Sequence, residues 1–235
     1  MSSKKSQSIP IFFETGSKRI YAGAIDWPGW YGQGRNEDAA LQALLRYGPR
    51  YQQAIQVAKL DFVAPTDVSV FQVTERLPGN ATTDFGAPDV PPSSDAQTMD
   101  DATLQKSLAI LGASWEELRA TYRANLGKEL RKGPRGGGRE LDQIVEHVLG
   151  AHESYLRRIL WKMTIKLPEA CEAAISAMAE QTSQALTNAV TQGLPEKGPR
   201  GGADWKPRTF VRRAAWHILD HIWEIEDRVT EEDAG

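Results

Sequence analysis

Strand-type residues fill Ile9–Thr15 and Arg19–Asp26, and Gly16-Ser17-Lys18 between them suits a tight turn, so the pattern predicts a β-hairpin. Trp27-Pro28-Gly29-Trp30 then turns the chain. Tyr31-Gly32-Gln33-Gly34 leads to Asn36, a helix N-cap candidate with Glu37 and Asp38 in the first turn. Ala39, Leu41, Leu44 and Leu45 follow, and Gly48-Pro49 is expected to stop that helix. A further helix is expected over Tyr51–Lys59 and a last strand over Val68–Thr74.

The pattern is lost from Asn80 to Asp101, where Pro, Ser, Thr and Asp dominate without period, as in a linker or wrapping segment. Phe85 and Val90 are its only large apolar residues before Met99 and are expected to pin it to its surroundings. A 3.6-residue period then takes over. Leu104, Leu108, Leu111, Trp115, Leu118, Tyr122 and Leu126 mark a first helix within Asp101–Lys132. A second is expected over Arg139–Lys162, a third over Pro168–Thr191 and a fourth over Pro207–Val229, the last two with proline near the start, where a missing N–H is harmless. The organisation expected is an α+β domain over residues 1–79, a Pro-rich linker over 80–100 and an all-α four-helix bundle over 101–235.

Composition changes this picture little. The 235 residues carry 28 basic and 31 acidic side chains, so no global charge favours nucleic acid or an anionic membrane. A nucleic-acid role would rest on the local cluster Lys128, Arg131, Lys132, Arg135 and Arg139, equally a solvated helix end. Cys171 is the only cysteine, which excludes an intramolecular disulfide and an all-cysteine metal site. No apolar run reaches the roughly 20 residues of a membrane span, and a cytoplasmic location is expected.

The four histidines change it more, because they lie in two of the long helices. His217 and His221 are four residues apart, hence about 40° apart on one helix face and within reach of a single ion. His147 sits in the apolar stripe of the second helix and can supply a third ligand, since imidazole suits Zn, Ni, Fe or Cu. His152, turned roughly 140° from His147, is expected at the surface or an interface. Glu224, one turn beyond His221, either completes the site or orients a water, or else belongs to the exposed acidic run with Glu226 and Asp227. Gln143, one turn before His147, could orient a water, while Asp220 is expected to point away into a surface salt bridge. Lys132-Gly-Pro-Arg-Gly-Gly and Lys197-Gly-Pro-Arg-Gly-Gly precede the two histidine helices. They either stop one helix and turn into the next, or use Arg135 and Arg200 with backbone N–H groups to bind an anion.

Two family resemblances add to this. IYAGAIDWPGWYGQGRNEDAALQALLRYG, Ile20 to Gly48, resembles HicB-like antitoxin domains, which implies a partial ferredoxin-like fold. LDQIVEHVLGAHESYLRRI and RTFVRRAAWHILDHIWEIEDR resemble the DinB/YfiT-like superfamily of four-helix bundles. That resemblance covers roughly Asp101–Val229 and implies a divalent metal, zinc or nickel, held by His147, His217 and His221. It further implies a homodimer and a thiol-dependent S-transferase that uses bacillithiol, mycothiol or glutathione against an electrophile. Arg135 or Arg200 would then hold the carboxylates of that thiol. The expected join between the second and third helices is shorter than the family's crossover, so either the second helix ends before Trp161 or the join is strained. The competing expectation is a non-catalytic stress-response or protein-interaction module with a structural or vestigial metal site.

Overall fold

Ile9–Thr15 (β1) and Ile20–Ala24 (β2) form the expected hairpin, with Phe13 opposite Ala22. The structure is a computed structural model that describes residues 8–132, 138–197 and 201–230. Tyr31–Gly34 (β3) pairs antiparallel with β2, and Phe71–Pro78 (β4) pairs parallel with β1, giving the strand order β3-β2-β1-β4. The stretch Tyr31-Gly-Gln-Gly is therefore a strand and not only a lead into the helix. Its glycines let the helix lie directly on the sheet, since a Cβ on Gly32 would stand 2.0 Å from the Leu44 nitrogen.

That helix, α1, runs from Glu37 to Ala54 and carries Pro49 inside it, where a stop and a second helix were expected. An internal proline costs about 3 kcal/mol or more. Tertiary packing offsets it here: Tyr51 is fully buried, stacks on Trp30 at 5.9 Å and donates its hydroxyl to the Pro28 carbonyl at 3.0 Å. Of the expected second helix, Tyr51–Ala54 belong to α1, and a short 3₁₀ turn, Gln56–Ala58, follows.

Hydrogen bonds order much of the polar segment after β4, and Val90 in it is half-buried. Ala81–Phe85 (α2) opens on a capping box at Asn80. The Asp84 carboxylate accepts from the Ser17 and Lys18 N–H groups, and buried Glu14 accepts from the Thr83 hydroxyl and the Asp89 N–H. Phe85, expected to pin the segment, is 74% exposed.

Four long helices follow: α3 (Asp101–Ala124), α4 (Leu141–Arg158), α5 (Cys171–Thr191) and α6 (Pro207–Arg228). All are shorter than the sequence pattern suggested. α4 ends before Trp161, with Leu160 in the left-handed region at φ 60°. Both α3 and α4 pack on α5 and on α6. The core is continuous through both halves of the chain, from Leu44, Tyr51 and Phe62 to Ile110, Val148 and Ile218. No described helix is long and apolar enough to cross a membrane.

Candidate metal centre

The packing of α4 against α6 decides which side chains meet. Ile144, Val145 and Val148 are fully buried, and so are Ala214, Ile218 and Ile222. Burying these stripes turns His147 of α4 towards His217 and His221 of α6. The ring centroids lie 5.3 Å apart for His147 and His217, 4.9 Å for His147 and His221, and 4.6 Å for the pair on α6. One ring nitrogen from each of the three falls within 4.8 Å of the others. His217 and His221 are buried, while His147 is half-buried and faces a cleft.

Each ring is prepared for ligation. Burial, with His221 and Arg139 nearby, lowers the His147 pKa below its ordinary value, and burial lowers that of His217 further. Both are thus the neutral bases that a metal requires. The Glu224 carboxylate, held down to a pKa of about 2 chiefly by its bond with His221, is ionised and can only accept. The 2.7 Å contact from His221 Nδ1 to Glu224 Oε2 therefore places a ring hydrogen on Nδ1 and leaves Nε2 as the nitrogen that could take a metal. Glu224 also accepts from Arg228 Nη1 at 2.7 Å, which fixes the carboxylate. A carboxylate behind a ligating histidine is the usual second layer of a metal site. His217 Nδ1 is buried with no hydrogen-bond partner, a costly state that coordination through the same ring would reorganise. The three nitrogens and the Glu224 support fit a borderline divalent ion such as Zn²⁺ or Ni²⁺.

Other candidates fall elsewhere. His152 is fully buried, a correction to the surface position expected from its rotation around the helix. It contacts the Trp115 ring at 4.6 Å, meets the Val148 carbonyl through Nδ1 at 3.0 Å and has its pKa lowered to about 4 by burial. Trp115 of α3 and His217 of α6, whose ring centroid lies 5.8 Å away, cover this side of α4, so its buried arc spans both histidine directions. Gln143 is exposed and accepts from the Glu140 N–H in the capping box of α4. Arg135 and Arg200 lie outside the described residues. Of the basic cluster, Arg131 is bound to the end of α6 through the Asp227 carbonyl.

Asp220 departs from expectation as well. Solvent reaches it, yet it lines the histidine cleft and forms no ion pair among the described residues. The surrounding protein raises its pKa by desolvation, against the pull of His221. The cleft has a volume of about 1010 Å³ and is also walled by Tyr155, Arg213, Trp216 and, from the first half of the chain, Tyr47 and Phe85. Sequence reasoning missed these. Only Arg213, one turn before His217, and Tyr155, eight residues after His147, carried a helical spacing that could have found them.

No family model, curated protein or solved structure matches the chain.

Proposed function

We propose that this protein is a metal-dependent enzyme of the DinB-like kind. Its helical half would be a four-helix bundle in which His147, His217 and His221 hold one divalent ion, zinc or nickel. The observation that carries this is the meeting of three imidazoles from two helices on the wall of an open cleft. Structural zinc is generally closed by four protein ligands, whereas catalytic zinc keeps three and an open position. Among the described residues no fourth His, Cys, Asp or Glu joins the three. That favours catalysis over a purely structural ion.

The reaction we assign is conjugation of a low-molecular-weight thiol, of the bacillithiol, mycothiol or glutathione type, to an electrophilic carbon: the S–H proton passes to solvent, a C–S bond forms and the electrophile's leaving group, such as a halide, departs. A divalent ion at the site would lower the pKa of a bound thiol. Glu224 holds the His221 ring in one tautomer and orientation. His217, packed between Tyr155 and Trp216 at centroid distances of 5.5 and 6.1 Å, is kept out of bulk water. His147, more open than the other two, lies at the side from which a substrate enters.

Elemental analysis of purified protein, combined with conjugation assays using the three thiols and a reactive electrophile, tests this. One metal equivalent and thiol-dependent turnover are expected, both lost in His217→Ala. Metal-free protein with native helical content would overturn the assignment.

A further inference from the structure

The cleft beside the three histidines is lined by three arginines and three carboxylates, not all of them paired. Glu224 is paired with Arg228, and Asp227 with Arg50 at 3.0 Å. Of the charged side chains that line the cleft, Arg139, Arg213 and Asp220 remain. Arg50 also pairs with Glu226, so the formal charges balance; what the cleft offers an anion is guanidinium groups without a carboxylate partner. A divalent ion on the imidazoles would add positive charge.

Arg213 is the telling member. It is half-buried, and among the described residues it forms no ion pair with a carboxylate. One terminal nitrogen donates to the Pro88 carbonyl, while its Nε is buried without a partner. Its guanidinium lies 4.9 Å from the Trp216 ring centroid and 5.8 Å from that of Tyr155. A half-buried cation with unused donors, held between two aromatic rings, is arranged to receive a planar anion, because the fork of a guanidinium matches a carboxylate. Phe85 at the end of α2 lines the same cleft, and its apolar ring stands 74% exposed.

We propose that the cleft binds a small organic anion, a carboxylate joined to a flat apolar body. Arg213 holds the carboxylate, and Phe85, Trp216 and Tyr155 cover the body. The first half of the chain then contributes the selecting wall, while α4 and α6 contribute the reactive one. As a statement about substrate the proposal rests on the metal-enzyme assignment, but the recognition itself needs no metal.

The probes are 2-naphthoate and its neutral isostere 2-naphthamide, titrated by calorimetry and tryptophan fluorescence into the full chain, both chelator-treated and loaded with zinc. Naphthoate is expected to bind about tenfold tighter or more, the factor carried by one charge-assisted hydrogen bond. Arg213→Gln should abolish that preference, Arg213→Lys should keep part of it, and Phe85→Ala should weaken acid and amide alike. Equal affinities for acid and amide in the unaltered protein would overturn the proposal, as would an undiminished preference in Arg213→Gln. Should the protein bind no zinc yet prefer the acid, the anion site stands and the metal assignment falls. Zinc binding without any preference has the reverse meaning.

Discussion

Arg212 and Asp95 form a two-pronged ion pair, Nε to Oδ2 at 2.8 Å and Nη2 to Oδ1 at 2.7 Å, with side chains 7% and 2% exposed. The same guanidinium donates to the Ala24 and Ile25 carbonyls at 2.7 and 3.0 Å. One side chain, five residues before His217, therefore gathers the end of β2, the polar segment after β4 and the histidine helix. Desolvation pulls the Arg212 pKa down, but the bond and charge of Asp95 more than offset it, so the group stays charged.

Removing one partner of this pair should cost far more than removing a surface charge. Asp95→Ala leaves a buried guanidinium uncompensated, and a loss of about 3–5 kcal/mol is expected in urea unfolding. A double variant, Asp95→Leu with Arg212→Met, should recover only part of that loss. It restores apolar packing but orphans the two carbonyls that Arg212 now satisfies.

His152 gives the sharpest test of the ligand set, because it is the one histidine that is fully buried and left out of it. His152→Ala opens a cavity beside Trp115 and is expected to lower stability by about 2–4 kcal/mol. Once folded, it should still bind one metal equivalent. His217→Ala should keep most of its helical content and lose the metal. Equal metal content in the two variants, measured on protein of verified fold, would show the ligands to be misassigned.

Glu224 acts through His221. Glu224→Gln keeps the size of the side chain but removes the charge that faces His221 Nδ1 and Arg228. Metal affinity is expected to fall about 10–100-fold, the usual effect of losing a carboxylate behind a ligand. Helical content should be unchanged. Competition with a chromophoric chelator reads the difference, and unaltered affinity would remove Glu224 from the site.

The parts of this architecture that follow from periodicity were legible in the sequence, and the parts set by tertiary packing were not. His147, His217 and His221 could be placed together because apolar stripes on two helices force one face of each inward. The same logic misplaced His152, since it assumes one buried face and α4 has neighbours on two sides. Pro49 reads as a stop because local propensity cannot include the contact of Tyr51 with Trp30. The segment from Asn80 to Asp101 looked like a linker because its order comes from buried polar contacts at Glu14 and Arg212, which lie far away in sequence. Hydrophobic pattern carries no trace of such contacts. The cleft was invisible for a similar reason: Phe85 and Tyr47 line it only after the two halves share a core.

Glu14 sets a pH dependence that can be separated from the histidines. Its side chain is fully buried between β1 and the segment after β4. Burial raises its pKa above the ordinary 4.5, and the bonds from Thr83 and Asp89 offset only part of that rise. The folded protein thus binds a proton at Glu14 more tightly than the unfolded chain does. In the window from about 4.5 up to the raised native value, the native state holds more protons, so stability falls as pH rises through it. Above the window the ionised carboxylate still accepts its hydrogen bonds, but the cost of burying its charge is fully expressed. Glu14→Gln keeps an acceptor for Thr83 and Asp89 without that charge. It should therefore flatten the stability curve between pH 4.5 and 7 and leave the protein at least as stable as the original at neutral pH. Glu14→Ala strips the acceptor from both donors and is expected to cost about 1–3 kcal/mol at any pH in this range. Urea unfolding at half-unit steps of pH measures both variants. A Glu14→Gln curve parallel to that of the unaltered protein would show that the carboxyl titrates alike in the folded and unfolded chains.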